Sequence, residues 1–314
     1  MILQAQTISS LVCDELNHGP ASGSVHSVFA GTVNIACGRS IWLSLHAPGT
    51  PLHPYAVVLG KGAGSNREEC PTGGGAFLGA SAGGAFLGAS RGERVDVEGG
   101  EIAVGGGRAI IRLAGAEVWR PEVGRLDAGL RGDADGLLET LLEGLRNDDM
   151  ASPFLNASGT GEVESALIHK CLRIRAGLAR SWRRGDVSEA ARIMQSAVGL
   201  GSGLTPSGDD FLTGFLGAAH MFAYGSGAAD DARRHLCIER SMTTLTSYFM
   251  LRGALHGLLP EPLSSLLGAI ACGRPGPIRR SVERLVRLGS TSGQDMLAGV
   301  VCYLEAARAA GEME

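Results

Sequence analysis

The chain has 314 residues, of which 44% are apolar, and a formal net charge of -4 at pH 7. That length suggests about two domains of roughly 150 residues each, and the absence of a basic run argues against nucleic acid as a partner. Glycine accounts for 48 residues, about twice its usual share of roughly 7%, so many tight backbone turns are expected.

The N-terminal residues MILQAQTISSLVCDEL lack the basic segment of a secretory leader, and no run of 18 apolar residues occurs in the sequence. We therefore expect a cytoplasmic protein with no membrane association. The seven cysteines are scattered and form no C-x-x-C pair, which indicates reduced thiols rather than a disulfide framework.

Short extended segments dominate the first part of the chain, from Ser24 to about Trp119. In VDVEGGEIAV the pair Gly99-Gly100 separates two alternating runs, which predicts a two-residue hairpin turn. A third strand is predicted near residues 108–113. This part of the chain is predicted to be rich in β-strands.

After Pro121 the apolar period changes from about 2 to about 3.6, which predicts helices. One apolar face carries Leu137, Leu138, Leu141, Leu142 and Leu145. Further helices are predicted at 163–182, 187–198, 208–224, 228–257, 262–272, 277–288 and 293–310. The sequence therefore predicts an α+β fold, with a β-rich domain at 1–125 and a helical domain at 126–314, although strands followed by helices also fit a single α+β unit.

Residues 74–91 contain the tandem near-duplicate GGAFLGASA and GGAFLGASR. Within it, Ser81 matches the G-x-S-x-G pattern of a nucleophile elbow, but the strand-turn-helix setting that this motif needs is missing. Lys61 lies among glycines without the spacing of a phosphate-binding P-loop. We interpret both as parts of a flexible loop.

The stretch GLGSGLTPSGDD, residues 199–210, lies between two predicted helices. Its glycines can end the first helix, and Ser207 with Asp210 fits a capping box that begins the second. On this interpretation the stretch is only a helix junction. It leaves Gly203, Thr205 and Asp209 without an explanation.

A second stretch, STSGQDMLAG at 290–299, repeats the form of TPSGDDFLTG at 205–214. The shared pattern S-G-x-D-x-L-x-G predicts that Ser292 and Asp295 cap a second helix in the same way. Two such helix N-termini could bind an anion in a common pocket. Asp209, which Gln294 replaces in the second copy, is then a candidate for a metal or substrate contact.

Other site classes are disfavoured. The glycine pattern lacks the G-x-G-x-x-G spacing of a dinucleotide fold and follows a helix rather than a strand. The eight histidines include no H-x-x-x-H or H-E-x-x-H pair, so a zinc site assembled from neighbouring residues is not expected.

The segments GLGSGLTPSGDDFLTG and GSTSGQDMLAG resemble the signature of the AllH-like subunits of oxamate carbamoyltransferase. SVHSVFAGTVNIA and AGAEVWRP resemble further segments of that family, so the likeness covers most of the chain. The tandem GGAFLGAS segment is not a feature that we associate with the family.

The resemblance implies a role in purine or allantoin breakdown, in which a complex converts oxalurate and phosphate to oxamate and carbamoyl phosphate. It also implies an FdrA-like partner and a third subunit. It further implies catalytic roles for Asp209 and Thr205. Mg²⁺ is the implied cofactor, which Asp209 would hold through water. The implied substrate contacts are Gly201, Gly203, Ser207, Asp210, Ser292 and Asp295. The alternative is a non-catalytic scaffold subunit that binds phosphate or a nucleotide.

Overall fold

The computed structural model describes residues 1–38, 41–60, 86–126, 136, 139–141, 143, 151–155, 162–222 and 228–310. The chain divides into two compact units, Met1–Pro121 and Glu122–Glu314. Residues 74–85 of the tandem repeat, including Ser81, lie outside the described residues, and so do Lys61 and four of the five leucines at 137–145. The fifth, Leu141, is helical and buried.

The first unit is a β-barrel with one short helix, α1 (Ser10–Leu16). Its strands are β1 (Ile2–Ser9), β2 (Ala21–Phe29), β3 (Thr32–Cys37), β4 (Ile41–His46), β5 (Ala56–Leu59), β6 (Arg94–Glu98), β7 (Glu101–Val104), β8 (Ala109–Arg112) and β9 (Glu117–Trp119).

β1 closes the barrel. The strand order is β5-β4-β3-β2-β6-β7-β8-β1-β9, and β1 also pairs with β5. Along one edge β1 runs parallel to β8 and then to β9, and its other edge pairs antiparallel with β5. Closure leaves fewer open strand edges to pair with other chains.

Alternation along the strands places one face of each in the barrel core. In β3, for example, Val33 and Ile35 belong to this core. The predicted Gly99-Gly100 turn is confirmed: both glycines have positive φ, 60° and 78°, and they join β6 to β7. Positive φ at both turn residues is what a type I′ hairpin requires.

The second unit is helical over its described residues. Its helices are α2 (Glu162–Arg183), α3 (Val187–Ala197), α4 (Ser207–Phe222), α5 (Ala228–His235), α6 (Leu245–Ala254), α7 (Glu261–Ala271), α8 (Pro275–Val286) and α9 (Ser292–Ala310). The α+β prediction is therefore confirmed. None of these helices is both long and apolar enough to cross a bilayer, judged on the described part of the chain.

The predicted single helix at 228–257 is wrong, because α5 ends at His235 and α6 begins only at Leu245. Thr244 is extended, with φ -68° and ψ 157°, and its side chain accepts a hydrogen bond from the Ser247 amide. A threonine that caps a helix in this way starts a new helix rather than continuing an old one. The segment between the two helices lies beside the glycine stretch described below.

Candidate functional site

The glycine stretch connects α3 to α4, and three of its glycines adopt backbone conformations that favour glycine. Gly199, Gly201 and Gly203 have φ of 71°, 117° and 99°. A Cβ atom at Gly199 would lie 2.2 Å from the Met242 carbonyl oxygen, and one at Gly201 would lie 2.8 Å from the Ser207 nitrogen. Close approach of backbone therefore explains two of these glycines, whereas a Cβ at Gly203 would meet nothing within 4 Å.

The backbone amides of residues 201–204 donate no hydrogen bond to any group in the described part of the chain. Ser202 and Gly203 are exposed. Free amides in a turn with positive φ form a concave surface that suits an anion. We call this segment the glycine loop, and its amides are the donors of the candidate site that remain without an acceptor among the described residues.

The second copy of the motif has the same local structure. The Gly208 amide donates to the Leu200 carbonyl at 2.8 Å, and the Gly293 amide donates to the Leu288 carbonyl at 2.9 Å. A Cβ at Gly289, whose φ is 65°, would touch Ser292 much as one at Gly201 would touch Ser207. The repeated sequence pattern thus corresponds to a repeated helix-loop-helix unit, formed once by α3 and α4 and once by α8 and α9.

The two copies pack on each other through glycine. A Cβ at Gly214 would lie 1.9 Å from the Met296 carbonyl oxygen, and one at Gly299 would lie 2.0 Å from the Phe211 carbonyl oxygen. Phe211 and Met296 occupy equivalent positions in the repeat. The contact between α4 and α9 is therefore reciprocal, and it explains the last glycine of S-G-x-D-x-L-x-G.

The N-termini of α4 and α9 meet through their hydroxyl side chains. The Thr205 Oγ1 and Ser292 Oγ atoms are 2.9 Å apart. The Asp210 amide donates to the Pro206 carbonyl, and the Asp295 amide donates to the Thr291 carbonyl. Each helix thus begins at its serine, with the preceding residue at the cap position.

The prediction that Ser207 and Ser292 are N-caps is therefore wrong. Both serines lie inside the first turn, where each hydroxyl is close to a carboxyl of the other copy: Ser207 is near Asp295, and Ser292 is near Asp210. Proline at the first cap position supplies no hydroxyl of its own. The motif pairs each serine with the aspartate of the opposite helix rather than with that of its own.

Asp210 and Asp295 are both buried at this junction. Burial, together with the nearby charge of Asp295, raises the pKa of Asp210 to about 8 against the opposing effect of the Ser292 and Thr205 hydroxyls. Burial raises the pKa of Asp295 to about 6 despite hydrogen bonds from Ser152, Ser207 and Thr291. The Oδ2 atom of each has no hydrogen-bond partner within the described residues. Asp210 is therefore mainly protonated at neutral pH.

Asp209 lies inside the protein, with 1% of its surface exposed. Its Oδ1 accepts a hydrogen bond from the Gly199 amide at 2.8 Å, and its Oδ2 accepts one from the Thr243 hydroxyl. Burial raises its pKa, while the hydrogen bonds from the Gly199 amide and the Thr243 hydroxyl lower it. Asp209 thus ties the start of the glycine stretch to the segment between α5 and α6.

Gln294 occupies the position of Asp209 in the second copy, and like Asp209 it accepts hydrogen bonds from a neighbouring loop. Its Oε1 accepts hydrogen bonds from the backbone amides of Ala151 and Ser152, at 2.8 and 3.1 Å. The Ser152 hydroxyl in turn donates to Asp295 at 2.6 Å. The third position of the motif therefore anchors a neighbouring loop in both copies, a role that sequence reasoning missed.

The predicted anion pocket between the helix ends stays a prediction. The amides of Gly208, Asp209 and Asp210 all donate to backbone carbonyls, so the first turn of α4 offers few donors. No group of three His, Cys, Asp or Glu side chains that could hold a metal ion occurs among the described residues. With both oxygens of Asp209 already bonded, this carboxylate is poorly placed to hold Mg²⁺ directly.

A pair of histidines in the barrel was also missed. The Nε2 atoms of His46 and His53 are 2.9 Å apart, and the Tyr55 amide donates to His53 Nδ1. That bond leaves the proton of His53 on Nε2, from which it is donated to His46. Burial lowers the pKa of His46 to about 4 and that of His53 well below its usual value. A spacing of seven residues around the turn before β5 brings the rings together.

Comparison with known proteins gives one family match in this region. The family model for oxamate carbamoyltransferase subunit AllH matches residues 197–304. The matched segment begins at the end of α3 and includes the glycine loop, both copies of S-G-x-D-x-L-x-G and most of α9. No solved structure matches the chain.

Proposed function

We propose that this chain is a carbamoyltransferase subunit that acts on a small ureido acid such as oxalurate, because residues 197–304 match the family model for oxamate carbamoyltransferase subunit AllH. The pathway is purine or allantoin breakdown. The glycine loop is the proposed substrate site. The observation that carries this proposal is the set of free, partly exposed backbone amides at 201–204 inside the matched segment.

The proposed reaction is phosphorolysis. An oxygen of hydrogen phosphate attacks the terminal ureido carbon of oxalurate, and a C–O bond forms. The bond from that carbon to the inner nitrogen then breaks, and the nitrogen takes the phosphate proton to give oxamate. The other product is carbamoyl phosphate, so no protein nucleophile is required.

Amide donors suit this chemistry because negative charge develops on the carbamoyl oxygen during the attack. Preorganised N–H groups stabilise such charge without having to reorient. In the proposal the backbone at Gly201 and Gly203 supplies these donors, and the half-buried Thr205 hydroxyl lies at the end of the loop. Holding the two reactants in line is the second contribution of the site.

Asp209 contributes to the proposed site by holding the loop in place. Its hydrogen bonds hold Gly199, at the start of the turn that presents the free amides, next to Thr243 in the segment between α5 and α6. Ser207, Asp210, Ser292 and Asp295 stabilise the helix junction beneath the loop. Their proposed effect on the substrate is exerted through the position of Thr205.

A scaffold subunit that binds phosphate or a nucleotide without turnover is the second candidate. It is favoured by the burial of Asp209, Asp210 and Asp295, because buried carboxylates cannot exchange protons readily with a substrate on the exposed loop. In that case the reacting groups belong to a partner, such as an FdrA-like protein or a third subunit. The family designation as a subunit is consistent with such partners.

The experiment incubates the full chain with carbamoyl phosphate and oxamate, alone and after copurification with its partners. Formation of oxalurate together with free phosphate by the isolated chain supports the first candidate. Turnover only with partners, with saturable carbamoyl phosphate binding by the chain alone, supports the second. Neither turnover nor binding in any preparation would overturn both.

A further inference from the structure

One exposed face of α2 carries basic side chains and no acidic ones. From residue 169 to the end of the helix, and at the residue that follows it, the exposed cations are Lys170, Arg173, Arg180, Arg183 and Arg184. At 3.6 residues per turn, Arg180 lies within about 20° of Arg173 around the helix axis, and Lys170 and Arg183 lie within about 80° on either side. We call this face the basic stripe, and at 1.5 Å per residue its helical part is about 20 Å long.

The opposite face of α2 belongs to the core of the helical unit. Ile174, Leu178 and Trp182 are buried there. Arg175, which lies between the two faces, pairs with Glu305 at 2.7 Å. The basic stripe therefore points away from the helices that α2 packs against.

The cations of the basic stripe form no ion pair with any carboxylate in the described part of the chain. No aspartate or glutamate occurs between residues 165 and 184. The Glu189 carboxylate lies in the field of Arg180, but it is already paired with Arg192. The charge of the stripe is thus left without a counter-charge on these described residues.

The helix dipole explains only part of the stripe. Cations in the last turn of a helix are favourable, which accounts for Arg180 and Arg183. Lys170 and Arg173 lie too far from the helix end for this effect, which falls off within one turn. Like charges three or four residues apart destabilise a helix, so these side chains weaken α2 unless an opposing surface neutralises them.

The composition of the stripe favours an acidic protein surface over other polyanions. Between residues 169 and 184, the exposed residues other than the five cations are His169 and Ala176. A membrane-surface helix needs exposed Trp, Phe or Leu side chains, and single-stranded nucleic acid stacks its bases on aromatic rings. The net charge of -4 also repels an extended polyanion.

We propose that the basic stripe of α2 is the docking surface for another subunit of the same complex, which contacts it through aspartate and glutamate side chains. This inference rests on the proposed role of the chain as a subunit. Carboxylates match the planar fork of arginine with two parallel hydrogen bonds, and opposite charges across an interface speed association. The stripe precedes residues 197–304, so it lies outside the matched segment.

The test isolates the tagged full chain from its own host at low ionic strength and measures the proteins that it retains. The stripe variant is Arg173→Glu with Arg180→Glu. The matched control is Arg280→Glu with Arg287→Glu, which makes the same charge change at two exposed arginines on and just after α8. Melting temperatures report whether each variant is folded. Carbodiimide treatment of the original complex then couples the Lys170 amine to nearby carboxylates as amides, with loss of water, and mass spectrometry identifies the joined peptides.

The stripe variant should retain at least tenfold less partner than the original chain, and the control should stay within about twofold. Lys170 should be coupled to aspartate or glutamate of the retained protein. Equal retention by the two folded variants overturns the docking surface alone, as does coupling of Lys170 only to a second copy of this chain. Loss of a DNA duplex or of phosphatidylglycerol vesicles by the stripe variant, with retained protein unchanged, overturns it in favour of that polyanion. An original chain that retains no protein overturns the subunit role as well.

Discussion

The Thr205 and Ser292 hydroxyl oxygens, 87 residues apart in sequence, lie 2.9 Å from each other where α4 and α9 begin. This contact joins the two copies of S-G-x-D-x-L-x-G at their equivalent ends. Around it, each serine meets the aspartate of the other copy. The repeat therefore holds the N-termini of the two helices together, and the glycine loop lies at their junction.

Alanine at Gly214 or Gly299 should destabilise the helical unit. The added Cβ would lie about 2 Å from a carbonyl oxygen of the facing helix, so the helices must move apart, at a cost of roughly 1–3 kcal/mol or more. The matched control is Gly268→Ala in α7, where no atom lies within 4 Å. That change should stabilise by about 0.5–1 kcal/mol. Urea denaturation of the three variants measures both effects, and equal stabilities would contradict the close contact.

The buried Asp210 carboxyl should make stability depend on pH. Its pKa rises from the usual 3.8 to about 8 on folding, so the folded chain binds the proton more tightly than the unfolded chain. Stability is then greatest below about pH 4 and falls as pH rises toward 8. The Asp210→Asn variant carries no charge at this position. Its melting temperature should therefore rise relative to that of the original chain as the pH increases across that range.

The control for this pH series is Asp14→Asn, at an exposed position in the barrel. The difference in melting temperature from the original chain should change more between pH 4 and 8 for Asp210→Asn than for this control. A constant difference for Asp210→Asn would show that Asp210 is charged in the folded protein.

Asp209→Ala should loosen the glycine stretch. It leaves the partly buried Gly199 amide and the Thr243 hydroxyl without their acceptor, at a cost of about 1–3 kcal/mol. Hydrogen exchange at the Gly199 amide should accelerate. Gln294→Ala is the matched variant, because it frees the Ala151 and Ser152 amides instead. Acceleration at Gly199 in both variants, or in neither, would contradict separate anchoring roles.

Local sequence patterns predicted the parts of the fold that depend on neighbouring residues. The period change near Pro121, the Gly99-Gly100 turn and the echo between residues 205–214 and 290–299 all involve short segments. β1 was not predicted, because it forms by pairing with β5, β8 and β9, which are distant from it in sequence. The helix break before Leu245 was missed because the Thr244 cap was not recognised.

The sequence drew attention to the residues of the candidate site but did not indicate their contacts. Asp209 stood out because capping did not explain it, yet its partner Thr243 is 34 residues away. The two serines were assigned to their own helices, since sequence spacing reports only contacts along one helix. Arg240 and Arg252 contact the same Tyr248 ring, and no spacing pattern in the sequence indicates that shared contact.

The most direct measurement of the central claim compares carbamoyl phosphate binding to Gly203→Ala and Gly107→Ala by calorimetric titration of the full chain. Both glycines have φ near +95°, at 99° and 90°, and a Cβ at either would meet nothing within 4 Å, so the backbone strain is matched. Gly203→Ala should shift the free loop amides and weaken binding about tenfold, or about 1.4 kcal/mol, while Gly107→Ala stays within about twofold. Equal affinities for the two variants, or no binding by the original chain, would contradict the claim that the glycine loop binds the anion.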